Sequence, residues 1–131
     1  MNDARKPLRI GILGAARIAP SAIIFPAQAT GHKLVAVGAR DKARAADFAE
    51  QHQIQKAYGS YQEVIDDPEV DVVYNALHNG AHGPWNIKAL AAGKHVLSEK
   101  PSASNAAEAK EVAAAVSKSG KVFMEGFNWF A

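Results

Sequence analysis

Short apolar runs alternate along this chain with longer stretches in which apolar residues recur at helical spacing. Residues 8–13, 33–39, 71–77, 94–98 and 121–125 each carry the near-continuous apolar run of a strand buried on both faces, and residues 57–58 make a shorter one. Between them lie helical segments with recognisable ends. Residues 16–29 have helical character but contain Pro20, tolerable in a first turn, and Pro26, which should kink or end the helix. Asp41 is placed to cap a helix whose Ala45, Phe48, Ala49 and His52 lie near one face. Ser60 caps a short helix through Val64 and Ile65 that is over by Pro68.

Pro84 suits the first position of a helix burying Ile87, Leu90 and Ala91 and stopped by Gly93. Asn105, with Glu108 three residues on, resembles a capping arrangement for a helix with Ala109, Val112, Ala113 and Val116 at helical spacing, ended by Gly120. Strands alternating with helices predict right-handed crossovers and a parallel sheet covered on both faces. The expected fold class is α/β: a doubly wound Rossmann sheet of six strands in the order 3-2-1-4-5-6, forming one domain over residues 1–131. Residues 126–131 then form an aromatic-rich tail.

Composition narrows the function classes. The 131 residues, 48% hydrophobic and 21% charged, suit one globular domain, and a net charge of +2 without a Lys/Arg run gives no reason to expect nucleic-acid binding. The chain has no cysteine, so disulfides, thiolate zinc sites and a cysteine nucleophile are excluded. No apolar run is long enough to span a bilayer and no apolar signal region precedes the first strand, so a cytoplasmic protein without membrane contact is expected.

In an open parallel sheet, ligands bind beyond the carboxyl ends of the strands near the point where the strand order reverses. That criterion selects Gly14, Ala15, Ala16, Arg17 and Ile18; Ala39, Arg40 and Asp41; Leu77, His78, Asn79 and His82; Glu99 and Lys100; and Asn128. Gly14, Ala16 and Ala19 occupy the positions of a G-x-G-x-x-G phosphate turn, with only the first glycine kept. The same residues would also serve an ordinary βα turn. After the second strand, Arg40 favours a 2′-phosphate and hence NADP, while Asp41 leaves NAD open or merely caps a helix. Lys100 could pair with Glu99 and present an ammonium where a substrate oxygen is polarised or a proton relayed, with Pro101 fixing the turn in cis; the alternative is a surface ion pair. His78 and His82 are four apart, but no carboxylate or thiolate completes a metal set, so no metal is expected.

Taken in order, Gly14-Ala15-Ala16-Arg17-Ile18-Ala19, Ala39-Arg40-Asp41, Tyr58-Gly59-Ser60-Tyr61, Gly93-Lys94-His95-Val96-Leu97, Glu99-Lys100-Pro101 and Phe123-Met124-Glu125-Gly126-Phe127 resemble the N-terminal domain of the glucose-fructose oxidoreductase / inositol dehydrogenase / rhizopine-catabolism (Gfo/Idh/MocA) family. The resemblance implies an NAD(P)-dependent oxidoreductase acting on sugars or polyols. It places the pyrophosphate on residues 14–18, the adenosine end on Arg40, the nicotinamide ribose on residues 77–82, and catalytic Lys100 at the nicotinamide with Glu99 beside it. His82 matches a loop histidine of the family, whereas His78 stands where the family usually has proline.

Family members continue into a second domain that builds the substrate pocket, and the tail at 126–131 reads as its stub. Cofactor binding without turnover is therefore expected of this chain, with a stand-alone binding or self-assembling module as the alternative. Phe123, Phe127, Trp129 and Phe130 are expected to leave an apolar patch that a homodimer would bury.

Overall fold

The computed structural model describes residues 6–16 and 19–125. Six strands form one sheet in the order β3-β2-β1-β4-β5-β6, every pair parallel: β1 (Arg9–Leu13), β2 (Lys33–Gly38), β3 (Lys56–Tyr58), β4 (Val72–Asn75), β5 (His95–Ser98) and β6 (Phe123–Glu125). The predicted strand order is observed. Alternation along β1 explains the layering, because Ile10 and Ile12 join the apolar cluster on one face while Leu13 joins the cluster on the other.

On the first face a π-helical turn (Pro20–Ile24) runs into α1 (Phe25–Ala29), and α2 (Lys42–His52) lies beside it; Ile23, Ile24, Ala27 and Ala49 supply their core contacts. On the second face lie α3 (Tyr61–Asp66), α4 (Asn79–Ala91) and α5 (Ala106–Ser119), through Val64, Ile65, Ala89, Leu90 and Val112. Among the described residues no helix is long and apolar enough to cross a membrane.

The helix ends follow the local chemistry. Asp41, Ser60 and Asn105 each accept a backbone N–H from the first turn of the helix they cap. The two internal prolines have different outcomes. At Pro26 the predicted break takes the form of the π-helical turn, whose last hydrogen bond runs from the Phe25 N–H to the Pro20 carbonyl. The wider turn moves aside the carbonyl that a proline ring strikes in regular α geometry. Pro84 is not at a helix start, as predicted, but lies inside α4, which begins five residues earlier at Asn79. Pro84 offers no N–H to the Gly80 carbonyl, so α4 runs through it with one rung of its ladder missing, while the Asn75 side-chain amide ties the same turn to β4 by donating to the His82 carbonyl at 3.2 Å.

The amino-terminal edge of the sheet is held by charge. Asp71 accepts from Arg9 Nε, Nη2 and backbone N–H, each at 3.0 Å. Buried Asp67 accepts from Lys56 Nζ at 2.9 Å, from Tyr58 Oη at 2.9 Å and from the Glu69 N–H at 2.8 Å. Lys94, also buried, donates to the Asp67 and Val70 carbonyls at 2.8 and 2.7 Å. The Arg9 hydrogen bond pulls the Asp71 carboxyl below its ordinary value against a smaller desolvation effect. At Asp67 desolvation is the largest single influence and raises the value, but the combined hydrogen bonds outweigh it and the net shift is downward.

One sheet face stays open. Phe123 was expected among the exposed aromatics, but it turns inward against the α4–α5 side, leaving its strand neighbours Val122 and Met124 at 59% and 55% exposure. These two, with Leu8, Ile23, Val72 and Leu97, line an apolar groove of about 480 Å³ beside α1. Phe127, Trp129 and Phe130 lie outside the described residues.

Two stability predictions follow from this packing. A Cβ on Gly38 would lie 2.6 Å from the Ser60 carbonyl oxygen and 2.7 Å from Val64 Cγ2. Gly38→Ala should therefore lower the urea midpoint, with a loss of about 1–3 kcal/mol. Because Asp67 and Asp71 titrate below their ordinary values when folded, the stability they add is complete above the ordinary carboxylate range and vanishes as pH falls through the lowered values. Urea titrations from neutral pH to pH about 3 should show that loss, and Asp71→Asn should flatten part of it.

Candidate functional site

The carboxyl ends of β1, β2, β4 and β5 converge on one edge of the sheet. The chain leaves β1 at Gly14, whose φ of +98° favours glycine, and whose N–H donates to the Gly38 carbonyl at 2.8 Å. A Cβ there would approach Leu77 Cδ2 to 3.0 Å. Ala15 and Ala16 continue the turn, and the Ala16 carbonyl accepts from the Ala19 N–H at 3.2 Å. Arg17 and Ile18 lie outside the described residues.

A groove of about 320 Å³ opens above this turn. Gly14, Ala15 and Ala16 form one wall; Ala39, Arg40 and Asp41 form the second; Leu77 and His78, with Ala76 and Tyr61, close the third. Asp41 caps α2, its Oδ1 accepting the Ala43 N–H at 2.9 Å, and lines the groove as well. Arg40 is exposed at the rim. A second groove of about 400 Å³ continues past Arg40, Tyr61, Leu77 and His78 to Trp85. Tyr61 and Trp85 meet edge to face there, with ring centroids 5.3 Å apart.

Polar side chains are buried beneath the ends of β4 and β5. Asn75, Asn86 and Ser98 have no exposed surface. The Asn75 amide donates to Asn86 Oδ1 at 2.9 Å, and the Asn86 amide donates to Ser98 Oγ at 3.0 Å and to the Ser102 carbonyl at 3.1 Å. Asn75 Oδ1 accepts the Leu77 N–H at 3.2 Å, so Asn75 braces the β4 loop directly and the β5 loop through Asn86.

Two sequence assignments change here. His82 was expected to touch the cofactor, but it is 1% exposed and its Nδ1 bonds the Pro101 carbonyl at 2.5 Å, so it holds the Lys100–Pro101 turn from beneath. Glu99 was expected to pair with Lys100, but its carboxylate instead accepts from Tyr74 Oη at 2.5 Å. Adjacent residues in extended chain point apart, and Tyr74 stands on the neighbouring strand. Burial, reinforced by Glu99, pushes the Tyr74 phenol well above its ordinary value, so it stays a neutral donor. Lys100 is exposed and precedes a cis peptide bond to Pro101, the predicted isomer. Asn79 opens α4, and Asn128 lies outside the described residues.

Arg44, Tyr61 and Trp85 escaped the sequence reading. Arg44 lines the first groove from the opening turn of α2, and its Nη2 donates to the Ala15 carbonyl at 3.3 Å. The available signal was electrostatic. Arg40, Lys42 and Arg44 crowd the start of α2, where Asp41 at the cap is the one carboxylate against three cations.

These residues fit a dinucleotide. The turn leaves its backbone bare where a Cβ would meet Leu77, and two guanidinium groups border the groove beside it. Comparison with known proteins agrees. The chain is 44% identical over 120 residues to trans-1,2-dihydrobenzene-1,2-diol dehydrogenase of Mus musculus, covering 90% of this chain and 36% of that enzyme. It superposes on KijD10, a 3-ketoreductase from Actinomadura kijaniata solved with NADP, with a TM-score of 0.85 and 31% identity over 92% of this chain and 38% of that one. Levoglucosan dehydrogenase, solved with NADH and levoglucosan, matches with a TM-score of 0.83 and 25% identity over 92% of this chain and 35% of that one. The chain thus spans about a third of the length of the relatives it matches. Residues 8–127 match the oxidoreductase family with an NAD-binding Rossmann fold, Gfo/Idh/MocA, and the chain belongs to that family.

Proposed function

We propose that this chain binds NADP in preference to NAD and serves as the cofactor half of an oxidoreductase acting on a sugar, polyol or cyclic diol. The observation that carries the cofactor choice is the pair Arg40 and Arg44 lining the groove beside the Gly14 turn, where two guanidinium groups suit a phosphate. Asp41 argues less for a ribose-binding role, because its carboxylate is already engaged by the Ala43 N–H. The substrate class rests on the relatives, whose names specify a cyclic diol, a 3-keto group and levoglucosan.

When bound, the nicotinamide supplies or accepts a hydride. The protein's own residues would do the rest. Residues 14–16 seat the diphosphate on bare backbone, while Arg40 and Arg44 grip the 2′-phosphate. Leu77 and His78 flank the ribose. Lys100, at the end of β5, would hold the substrate oxygen and pass its proton, and Tyr74 keeps Glu99 occupied so that the ammonium is left for that role. Lys100 lines none of the grooves described above. Binding without turnover is therefore the expected behaviour of residues 1–131 alone, and turnover is assigned to a longer protein with a substrate domain.

Calorimetry should find NADP bound at least about tenfold more tightly than NAD, with Arg40→Ala and Arg44→Ala each removing about tenfold of the NADP affinity and sparing NAD. Tighter NAD binding would overturn the assignment. Absence of both would leave only an assembly role, and hydride transfer to a polyol panel by this chain alone would refute binding without turnover.

We also propose that the open face carries a homodimer. Its rim is the edge strand β6, where Val122 and Met124 are more than half exposed over an apolar groove. Light scattering at micromolar concentration should give twice the chain mass, and Met124→Lys should halve it; a monomeric wild type would rule the dimer out.

A further inference from the structure

The Pro101 carbonyl can only accept a hydrogen bond, so the His82 nitrogen facing it at 2.5 Å must carry the proton. That rules out the tautomer whose only proton is on Nε2: Nδ1 donates, and Nε2 is buried with no partner among the described residues. Burying an imidazole in this state is unfavourable unless its one bond has a purpose. His82 itself is rigidly placed. Its backbone carbonyl accepts from Asn75, which also binds Asn86, and Asn86 in turn reaches Ser98 and the Ser102 carbonyl. The loop from Ser98 to Ser102 is thus held from beneath at both of its ends by the Asn86 amide, and near its middle by His82. Ser98 Oγ adds a bond to the Glu99 carbonyl at 3.0 Å. Lys100 lies between these anchors and is exposed, as is Pro101.

We propose that His82 is a positioning residue whose Nδ1–H pins the Pro101 carbonyl and thereby fixes where the Lys100 ammonium stands over the nicotinamide half of the cofactor. The proposal rests on the cofactor reading above. A group held by a rigid support needs no reorganisation when ligand arrives, whereas the same lysine on a loose loop samples many positions.

Full-length chain carrying His82→Phe keeps the ring and loses the donor. His82→Asn keeps an amide nitrogen near the place of Nδ1, and His82→Gln keeps one near Nε2 instead. In the absence of ligand, amide hydrogen exchange at Glu99 and Ser102 should rise about tenfold in the Phe and Gln variants, with β1 and β2 unchanged and with Asn close to wild type. Calorimetry with NADPH should show about tenfold weaker binding for Phe and Gln, while adenosine 2′,5′-bisphosphate, which lacks the nicotinamide half, binds equally to all four proteins.

Unchanged exchange in the Phe variant overturns the brace. Equal weakening of NADPH and the bisphosphate, or exchange that rises throughout the sheet, reduces His82 to a structural role and overturns the positioning. Rescue by Gln but not by Asn overturns the tautomer. A wild type that binds neither ligand overturns the cofactor reading and the positioning with it, and the exchange pattern then reports the brace alone.

Discussion

Strand β1 is hydrogen-bonded on both sides and buried on both faces, and that constraint organises the molecule. With β2 on one flank and β4 on the other, the chain leaving Leu13 can go only over the carboxyl edge of the sheet. It must turn at once, so the residue there needs a positive φ and no side chain facing Leu77. Gly14 meets both demands. The first helix and the strand order then carry the connections of β2 and β4 in opposite directions, which opens the groove between their loops. A ligand site at this edge is a consequence of sheet topology before any side chain is chosen.

The two edges of the sheet treat charge differently. At the amino edge, charges satisfy one another: Arg9 with Asp71, Lys56 with Asp67 and Glu69, and Lys94 with two backbone carbonyls. At the carboxyl edge, Arg40 and Lys100 form no ion pair among the described residues, and the nearest carboxylates are engaged by other groups, Asp41 by a backbone N–H and Glu99 by Tyr74. Surface cations are ordinarily unremarkable. Arg40, beside a carboxylate turned to a backbone N–H, and Lys100, beside one turned to Tyr74, mark a surface suited to an anionic ligand.

Much of this was legible in the sequence because it depends on local chemistry. Strand runs, capping residues at 41, 60 and 105, and the first glycine of the turn all act over a few residues, and all appear where the pattern predicts. What escaped depends on contacts across the sheet. Glu99 and Lys100 are neighbours in the chain, yet the partner of Glu99 lies 25 residues earlier on β4. Lys94 reads as the first residue of a strand, and nothing local shows that it is buried and clasps the turn before β4. Pro84 carries the signature of a helix start, yet α4 begins five residues before it, in a turn that the Asn75 amide ties to β4. The motif Gly93-Lys94-His95-Val96-Leu97 was thus recognisable without its purpose being readable: its Lys94 secures the amino edge, at the opposite end of the sheet from the Gly14 groove.

Separating these tasks has an energetic logic. A binding edge that keeps cations unneutralised and seats a lysine on an exposed loop is unfavourable for the free protein, and such sites persist only where the remainder of the fold compensates. Here the compensation is at the opposite edge, where Asp67 and Asp71 are so well hydrogen-bonded that both titrate below their ordinary range. Between the edges, Asn75, Asn86 and Ser98 are buried but each is hydrogen-bonded, so the polar core adds directional restraint without leaving its amides unmatched. The exception is the free nitrogen of His82, and it belongs to the side chain that reaches the turn carrying Lys100. The histidine makes physical sense because the position of the turn, rather than the stability of the core, is what its hydrogen bond secures.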